Sequence, residues 1–443
     1  MKIAILGYGV EGKSVETYFK DRADVTIFDN FKFEEVPTFS LDKYDLVFRS
    51  PSISPRKILD AWQSQHATQV NLTSITKYFF DHCPAPILGV TGTKGKGTTC
   101  SLATAMLEKL GVKTWLVGNI GNPALDDLDQ IQPTDAVVYE LSSFQLWDIT
   151  KSPHIGVVLR IEPEHLDNHG SYEDYFNAKA NIARFQTAAD TCVYYEKSSG
   201  SRQIAQLSLG TKISYPLSDN PALISLLDEL RVPGAHNREN TEAALAAVSA
   251  FLKISPLDLI QNHRAELTKA LNQFRGLPHH IEFLRELNGV KYYDDNYSTS
   301  YPALDVALQA FPDTPIVLIA GGKSHHVDLT ATRDCIFNRP NLHKAILIGE
   351  TKPELAKGQD PIKYQFADTL AEAVAAAKEA AEAVVATGAK TTESAIVSTA
   401  QTSISNTPNS CVVLMSPAAA SQDMFKNYTD RGNQFQQLVQ GLI

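Results

Sequence analysis

The feature that most constrains the fold of this chain is a glycine-rich turn set between a short apolar run and a helical pattern, which occurs twice. The first turn, Gly7 to Gly12, follows the apolar run at 2–6, and the second, at 92–99, follows the run at 87–90. Short apolar runs of this kind are typical of strands buried on both faces, and a helix after each predicts a crossover to a parallel strand. The sequence therefore predicts an α/β protein with mostly parallel sheets.

The length and the turn signals predict about three domains, at roughly 150 residues each. Prolines at 84 and 86 favour a first linker, and Gly276-Leu277-Pro278 favours a second. We therefore expect domains at 1–85, 86–277 and 278–443. Strands predicted at 282–287 and 290–294 flank Asn288-Gly289, a strong hairpin signal.

Composition excludes several classes of function. The 40 Lys and Arg against 50 Asp and Glu give a net charge of −10, without a basic block, which argues against a nucleic-acid partner. No apolar run approaches the roughly 18 residues of a membrane span, and the N-terminal run meets glycines where a signal peptide has a cleavage site. The 5 dispersed cysteines have no zinc spacing. We expect a cytoplasmic protein with reduced thiols and no membrane partner.

One segment stands apart from the alternating pattern. Residues 368–386 are rich in Ala and Glu, which predicts a helix, whereas 387–409 is rich in Thr, Ser and Ala with little apolar periodicity. We interpret 387–409 as a surface loop or mobile insertion.

The second glycine-rich turn has the context of a phosphate-binding loop (P-loop), because it follows an apolar strand and opens a helix. It departs from GxxxxGK[ST], since Val90 stands at the first glycine and Gly97 follows the lysine, which moves the hydroxyl to Thr98. A flexible turn is the alternative. As ATP-binding residues it predicts Gly92, Thr93, Lys94, Gly95, Lys96, Gly97, Thr98 and Thr99.

The first glycine-rich turn has the GxGxxG spacing, with Asp29 beyond it, but that spacing alone is a weak signal. It is compatible with NAD, with another nucleotide, or with close packing of a helix on a strand. Because the P-loop already serves ATP, a nucleotide-bearing substrate is the more economical interpretation. The residues expected to bind it are Gly9, Val10, Glu11, Asp29 and Asn30.

Two acidic segments follow predicted strands downstream of the P-loop. Glu140 opens Glu-Leu-Ser-Ser-Phe-Gln-Leu, and Glu164-His165 lies just past another strand. Carboxylates at the carboxyl ends of parallel strands face the ligand crevice and could hold Mg²⁺. Taken singly, each is more often a solvated loop charge, and Lys179 alone would be an ordinary lysine on a helix surface.

Taken together, these segments resemble the Mur ligase family. The matching segments occur in family order over nearly the whole chain: the P-loop, 140–146, 163–167, Lys179, 234–240, 276–279, 416–421 and 425–432. The most specific are Glu140 to Leu146 and the C-terminal Ser-Pro-Ala signature that ends at Arg431-Gly432.

The resemblance implies a Rossmann-like domain for a UDP-sugar, a central P-loop ATPase domain, and a Rossmann-like C-terminal domain that brings an amino acid. Within the family the likeness is greatest to members that add D-glutamate to UDP-N-acetylmuramoyl-L-alanine. It implies ATP and Mg²⁺, an acyl-phosphate intermediate, an amide product with ADP and phosphate released, and a monomer that closes around its substrates.

The resemblance also implies roles for individual residues. Lys96 would contact the β- and γ-phosphates, Thr98 and Glu140 one Mg²⁺, and His165 with a carbamylated Lys179 the second. The nucleoside of ATP would meet Asn237, Asn240, His279 and Asp295, with Asp295 at the ribose and His279 at the active-site junction. The substrates would further meet Asn119, Thr299, His325, Ser421 and Tyr428.

Three departures from the family pattern keep the amino acid open. Tyr297 and His325 stand where lysines are usual, and His280 stands where arginine is usual. Each change removes or weakens a positive charge that would face a carboxylate or phosphate. The alternatives are a related ligase of another acceptor or amino acid, similar to folylpolyglutamate synthases, a nicotinamide-dependent oxidoreductase, and a ligase-like binding protein that has lost activity.

Overall fold

A computed structural model describes residues 1–218, 220–324, 328–396 and 410–443. The chain divides into two compact units. The first unit comprises Met1–Glu229 and His236–Asn272, and the second comprises Leu230–Ala235 and Gln273–Ile443. The three-domain boundaries expected from the sequence stay a prediction.

The first unit contains two parallel sheets. The four-stranded sheet has the order β2-β1-β3-β4, and its strands are β1 (Lys2–Leu6), β2 (Asp24–Phe28), β3 (Leu46–Arg49) and β4 (Leu72–Thr73). The six-stranded sheet has the order β10-β9-β8-β5-β7-β6, and its strands are β5 (Ile87–Thr91), β6 (Thr114–Gly118), β7 (Ala136–Glu140), β8 (Ile155–Val158), β9 (Thr191–Tyr195) and β10 (Thr211–Tyr215). Strands β5, β7 and β8 are buried on both faces, which explains their unbroken apolar sequence.

The helices of the first unit include the crossovers between its strands and those that follow β10. They are α1 (Val10–Phe19), α2 (Pro55–Gln63), α3 (Ile75–His82), α4 (Lys96–Lys109), α5 (Ala124–Asp127), α6 (Leu166–His169), α7 (Tyr172–Arg184), α8 (Ser199–Gln206), α9 (Pro221–Leu227), α10 (Ala235–Leu252), α11 (Pro256–Asn262) and α12 (Arg264–Gln273). Short 3₁₀ segments lie at Phe33–Phe39, Leu41–Lys43 and Leu128–Gln130. Serine side chains accept hydrogen bonds from backbone N–H groups at the start of α2, α3, α7, α8 and α11, as expected of N-caps.

The second unit has one six-stranded sheet of order β11-β12-β16-β13-β14-β15. Its strands are β11 (Glu282–Leu287), β12 (Val290–Asp294), β13 (Ile316–Gly321), β14 (Leu342–Ile348), β15 (Tyr364–Phe366) and β16 (Cys411–Met415). Among the described strands of this sheet, only β11 and β12 pair antiparallel, across Asn288 and Gly289, whose positive φ angles match the hairpin prediction. The helices are α13 (Tyr301–Gln309), α14 (Thr330–Phe337), α15 (Lys352–Ala356), α16 (Leu370–Ile396) and α17 (Tyr428–Gln440), with a 3₁₀ turn at Pro361–Lys363.

The three sheets confirm the predicted α/β class with mostly parallel strands. The prediction of a loop over 387–409 is wrong for its first part, because α16 continues through Ile396. The Ala-rich repeat favours helix strongly enough to carry the helix past the predicted boundary. Residues 397–409 lie outside the described residues.

Within the described ranges no single helix is long and apolar enough to cross a membrane. One pair of helices, Ala235–Leu252 and Pro256–Asn262, reaches that length and composition only together, and the two are bent by 88°.

Candidate active site

The P-loop follows β5 and opens α4, as the sequence predicts, and α4 begins at Lys96, within the glycine-rich turn at 92–99. Gly95, the N-cap, has φ of 88°, and a Cβ there would lie 2.4 Å from Oδ1 of Asn240. Both the left-handed backbone and the close side chain therefore require glycine. The free N–H groups of the first turn of α4 form an anion-binding position.

Lys96 folds back over the P-loop. Its Nζ donates to the carbonyl oxygens of Gly92 and Thr93, at 3.2 and 3.1 Å. Burial lowers the pKa of Lys96, while the charges of Glu140 and Glu164 act in the opposite direction. The ammonium is thus held on backbone carbonyls at the helix N-terminus, where phosphate oxygens would be stronger partners.

Glu140, the last residue of β7, is a buried carboxylate beside this loop, and it is 4% exposed. One oxygen, Oε1, accepts a hydrogen bond from Nδ2 of Asn119 at 3.2 Å, whereas the buried Oε2 has no partner. Burial raises the pKa of Glu140, and Lys96, Asn119 and Lys179 oppose that rise. An unpartnered carboxylate oxygen at a strand terminus fits a cation such as Mg²⁺.

Lys179 lies on α7 but not on the helix surface, because its side chain is buried and the residue is only 2% exposed. Its Nζ donates to the carbonyl oxygen of Gly92 at 2.9 Å and to Oγ1 of Thr91 at 3.3 Å. Burial lowers the pKa of Lys179 well below its usual value, and the charge of Lys96 acts in the same direction. The structure therefore places this lysine against the P-loop in an environment that favours the neutral amine.

His165 and Glu164 lie in the segment after β8. His165 has φ of 56°, is about half exposed, and has Nε2 3.7 Å from Oε2 of Glu164. Glu164 accepts a hydrogen bond from Lys94 at 2.8 Å. Burial alone would raise the pKa of Glu164, but Lys94 together with the charges of His165 and Lys96 outweighs it, and the pKa is lowered. The segment is thus tied to the P-loop through an ion pair.

The remaining predicted residues of the P-loop region lie in the same unit. Thr98 is half-buried in the first turn of α4, and Thr99 is fully buried with an unpartnered Oγ1. Asn237 and Asn240 lie near the start of α10, where Asn237 is buried and Asn240 lies against Gly95.

The first glycine-rich turn joins β1 to α1. Gly7 has φ of 89°, and a Cβ on Gly12 would lie 2.4 Å from the carbonyl oxygen of Gly7, so this turn is tightly closed on itself. Asp29 accepts a hydrogen bond from the backbone N–H of Tyr8 at 2.9 Å and one from the side chain of Asn30 at 3.0 Å. Gly9 has open space around it and Val10 is largely exposed, so the N-terminus of α1 is accessible.

Glu11, predicted to bind substrate, points instead toward the segment after β7. Its Oε1 accepts a hydrogen bond from Nε2 of Gln145 at 2.9 Å, and the buried Oε2 has no partner. Arg49, a nearby cation, donates to both oxygens of Asp148, at 2.6 and 2.8 Å. Burial raises the pKa of Glu11 to about 7.

In the second unit, His279 is the centre of a buried hydrogen-bonded group. Its Nδ1 lies 2.7 Å from Oδ2 of Asp294, and Gln436 donates to Asp294 and to Glu282, each at 2.9 Å. The hydrogen bond with Asp294 raises the pKa of His279. Neighbouring Asp295 is also buried, and it accepts hydrogen bonds from Oγ of Ser416 at 2.7 Å and from the backbone N–H of Ile281 at 3.2 Å. Burial raises the pKa of Asp295 to about 7.

The other predicted substrate residues of the second unit lie near the carboxyl ends of β12 and β16. Thr299 is exposed, Tyr428 is partly exposed, and Ser421 is buried with an unpartnered hydroxyl. Tyr297, at the position of a family lysine, stacks on His280 with ring centroids 4.0 Å apart and meets Tyr428 edge to face at 5.6 Å. His325 lies outside the described residues.

Sequence reasoning missed the residues that hold these groups in place. Tyr175 lies 3.0 Å from Thr93 through its hydroxyl and under the Lys179 ammonium. Asn119 was predicted only as a substrate contact, and its hydrogen bond to Glu140 was missed. Arg431, named only as part of a signature, is fully buried and donates to Oδ1 of Asn296 at 2.6 Å. Their contacts join segments far apart in the chain, so no local pattern marks them.

Comparison with known proteins agrees with this architecture. Residues 90–248 match the Mur ligase middle domain. The UDP-N-acetylmuramoylalanine–D-glutamate ligase of Acetivibrio thermocellus is 34% identical, over 100% of this chain and 96% of the relative. The ligase of the same name from Clostridium acetobutylicum is 30% identical, again over 100% and 96%.

Two solved structures share the fold. The UDP-N-acetylmuramate-alanine ligase of Thermotoga maritima superposes with a TM-score of 0.54 at 18% identity, over 99% of both chains. The folylpolyglutamate synthase of Mycobacterium tuberculosis complexed with ADP gives 0.52 at 12% identity, over 83% of this chain and 93% of that one. With a 34% identical relative spanning the whole chain and the P-loop in its predicted place, this chain belongs to the Mur ligase family of ATP-dependent ligases.

Proposed function

We propose that this enzyme joins D-glutamate to UDP-N-acetylmuramoyl-L-alanine in peptidoglycan precursor synthesis, with hydrolysis of ATP to ADP and phosphate. The observation that carries the proposal is the meeting of Lys96, Glu140 and Lys179 around the P-loop, in a chain whose full-length relatives are named for this reaction. The identities of the nucleotide-sugar substrate and of the amino acid are the more specific part of this proposal.

The chemistry follows from the reactants. A carboxylate is a poor electrophile, so its oxygen first attacks the γ-phosphorus of ATP and ADP leaves. The amine of the amino acid then attacks the acyl carbon, and the tetrahedral intermediate collapses to an amide with phosphate as the leaving group. Both steps bring anions together, and fixed positive charge is what lowers such barriers. Lys96, at the N-terminus of α4, supplies that charge to the β- and γ-phosphates.

Mg²⁺ fits the residues beside the P-loop, because Glu140 has a buried carboxylate oxygen without a partner. Thr98 and Glu140 would hold one ion, and His165 with Lys179 the second. When bound, such ions neutralise phosphate charge. Asn119 keeps the other Glu140 oxygen occupied and so fixes the direction of the free one.

Lys179 as a carbamate is the second part of the metal proposal. The neutral amine that its burial favours would attack CO₂, form an N–C bond and release a proton, which converts a cationic side chain into an anionic metal ligand.

The first glycine-rich turn would hold the diphosphate of the UDP-sugar, at the accessible N-terminus of α1. Gly9, Val10, Glu11, Asp29, Asn30 and Asn119 form the proposed substrate set. Glu11 and Asp29 would act by shaping the turn, since their carboxylates already bond within the protein. The nicotinamide alternative leaves the P-loop without a role.

The second unit would supply the amino-acid site. The proposed contacts of the amino acid are Thr299, His325, Ser421 and Tyr428. The proposed contacts of the nucleoside and of the active-site junction are His279, Asp295, Asn237 and Asn240. We further propose that the protein is a cytoplasmic monomer with domain boundaries near residues 85 and 277.

The test is an ADP-release assay with the purified protein, ATP, Mg²⁺ and UDP-N-acetylmuramoyl-L-alanine, comparing D-glutamate with L-glutamate, D-aspartate and glycine. We expect ADP release and a product of the correct mass with D-glutamate only. NAD at the same concentration should neither bind nor compete with the UDP-sugar. Turnover with a different amino acid would overturn the D-glutamate assignment, and a folded protein that releases no ADP with any of them would overturn the function.

A further inference from the structure

A second set of contacts beside the P-loop starts at Arg160, two residues beyond the end of β8. The carbonyl oxygen of Arg160 accepts a hydrogen bond from the backbone N–H of Thr93 at 2.8 Å. Oγ1 of Thr93 also accepts from the N–H of Glu162 at 2.8 Å and donates to its carbonyl oxygen at 3.0 Å. These three hydrogen bonds fix the backbone at 160–162 to the P-loop.

The side chain of Arg160 crosses to the next strand. Its Nη2 donates to the hydroxyl of Tyr195, the last residue of β9, at 3.1 Å, and its Cζ lies 5.3 Å from the centroid of that ring. Its Nη1 lies 3.6 Å from Oε1 of Glu162. Tyr195 is itself buried and packs against Tyr215, with centroids 5.2 Å apart. A rigid aromatic ring therefore supports the guanidinium.

The same contacts continue to α10. The hydroxyl of Tyr195 donates to Oε1 of Glu239 at 2.7 Å. Glu239 precedes Asn240, the residue that lies against Gly95 of the P-loop. Arg160, Tyr195 and Glu239 thus form a row of contacts from the P-loop to the start of α10. This row lies along the carboxyl ends of β8 and β9. Parallel sheets bind ligands at that edge.

We infer that Arg160 is a nucleotide-binding residue of this enzyme, whose guanidinium stacks on the purine base of ATP. The inference rests on the proposed function, in that it takes the triphosphate to lie in the P-loop. Two edges of the guanidinium are already engaged, by Tyr195 and Glu162, so a flat ligand suits it better than a further phosphate oxygen. Its side chain is 55% exposed, which leaves surface for such a ligand.

Tyr195 and Glu239 are then positioning residues, because they act through Arg160. The Tyr195 hydroxyl holds one edge of the guanidinium by a hydrogen bond, and Glu239 accepts a hydrogen bond from that hydroxyl. Neither needs to touch the nucleotide.

The test compares binding of ATP with binding of inorganic tripolyphosphate, which has no base, by calorimetry on the full chain. For Arg160→Ala we expect ATP affinity to fall about five- to tenfold, a range typical of cation–π contacts, with tripolyphosphate affinity unchanged. The Michaelis constant for ATP should rise in parallel, with kcat within about twofold. Arg160→Lys should lose nearly as much, because an ammonium has no flat face. Tyr195→Phe keeps the ring and should lose only about twofold.

Arg56→Ala is the matched control, since Arg56 is an exposed arginine paired with a carboxylate on α2. It should change neither affinity. Equal losses of ATP and tripolyphosphate affinity in Arg160→Ala would mean a phosphate contact and overturn the stacking role, and unchanged ATP affinity would mean a structural ion pair only. Failure of the P-loop as an ATP site is separable, because then the wild-type protein would bind neither ligand, and a change of amino-acid substrate would leave this binding test unaffected.

Discussion

The two glycine-rich turns of the first unit each have a buried carboxylate beside them, and the two carboxylates are held alike. Glu11 and Glu140 each accept one hydrogen bond from a side-chain amide, from Gln145 and Asn119 respectively. Each also has a second oxygen, Oε2, that is buried without a partner. Topology and local hydrogen bonding are therefore nearly the same at the two turns.

The neighbouring cations make the difference. Lys96 and Lys179 both act on Glu140 and oppose the effect of burial on its pKa. At Glu11 the available cation is Arg49, but Asp148 pairs with it and adds a negative charge of its own, so burial raises the pKa of Glu11 to about 7. The comparison teaches that a strand, a glycine turn and a carboxylate do not define a site until the charges around the carboxylate are known.

The largest effect is expected from Lys96→Ala. Removing the ammonium at the N-terminus of α4 should lower kcat for ADP release by about a hundred- to thousandfold, as is typical for loss of one fixed charge on a transition state. Circular dichroism should be unchanged, because Lys96 bonds only to loop carbonyls. Lys109→Ala, at the other end of the same helix, is the control and should retain full activity. Normal turnover in Lys96→Ala would mean that the cation beside the second glycine-rich turn does not set it apart from the first.

We expect Lys179→Ala to lose activity as Lys96→Ala does, but to recover part of that activity when a carboxylate is added. If the carbamate serves as an anionic ligand, formate or acetate added at high concentration should restore part of the activity, since either offers a replacement carboxylate. Growth of a carbamate ¹³C signal on addition of ¹³C-bicarbonate to the wild-type protein, absent in the variant, is the direct measurement. Arg184→Ala, on the same helix, keeps Lys179, so it should show the carbamate signal of the wild type and gain no activity from formate or acetate. A wild-type protein without that signal would contradict the carbamate.

The smallest effect concerns stability and tests Glu11. Its pKa is about 7 in the folded protein against 4.5 ordinarily, so the folded state binds the extra proton between those values and the wild type loses stability as pH rises through about 7. Glu11→Gln cannot ionise. We expect it to match the wild type at pH 4, below the ordinary pKa, and to exceed it at pH 8 by up to about 3 kcal/mol, seen as a higher melting temperature.

Asp129→Asn provides a control of opposite sign. The hydrogen bond from Arg22 lowers the pKa of Asp129, so this carboxylate stabilises the fold at neutral pH and the contribution is lost as pH falls. The variant should be less stable than the wild type at pH 7, with a difference that shrinks in acid. A gain in the stability of Glu11→Gln that does not change with pH would mean better packing. It would exclude the interpretation that a buried carboxylate with a raised pKa destabilises the wild type.

The central strands were predictable because they are buried on both faces and so are unbroken apolar runs, as at Ile87–Thr91 and Ile316–Gly321. The weaker element Leu72–Thr73 was missed, since two residues leave no pattern. Helix ends were less certain: α4 begins before its first apolar residue, because Gly95 turns the chain directly into Lys96. Helix α16 passes 386 because no proline interrupts its Ala-rich sequence, and the single glycine, Gly388, does not end it.

The sequence by itself determined the order of strands and helices, the two glycine-rich turns and the family, because each is written in a contiguous run of residues. Only the tertiary structure decided that Lys179 is buried against Gly92, that Glu140 keeps a free oxygen, and that Glu11 faces Gln145 rather than open solvent. Burial and charge pairing join residues more than a hundred positions apart, as in Arg431 with Asn296 or Glu11 with Gln145. The energy of a charged group depends on those neighbours and on exclusion of water, and neither is encoded locally.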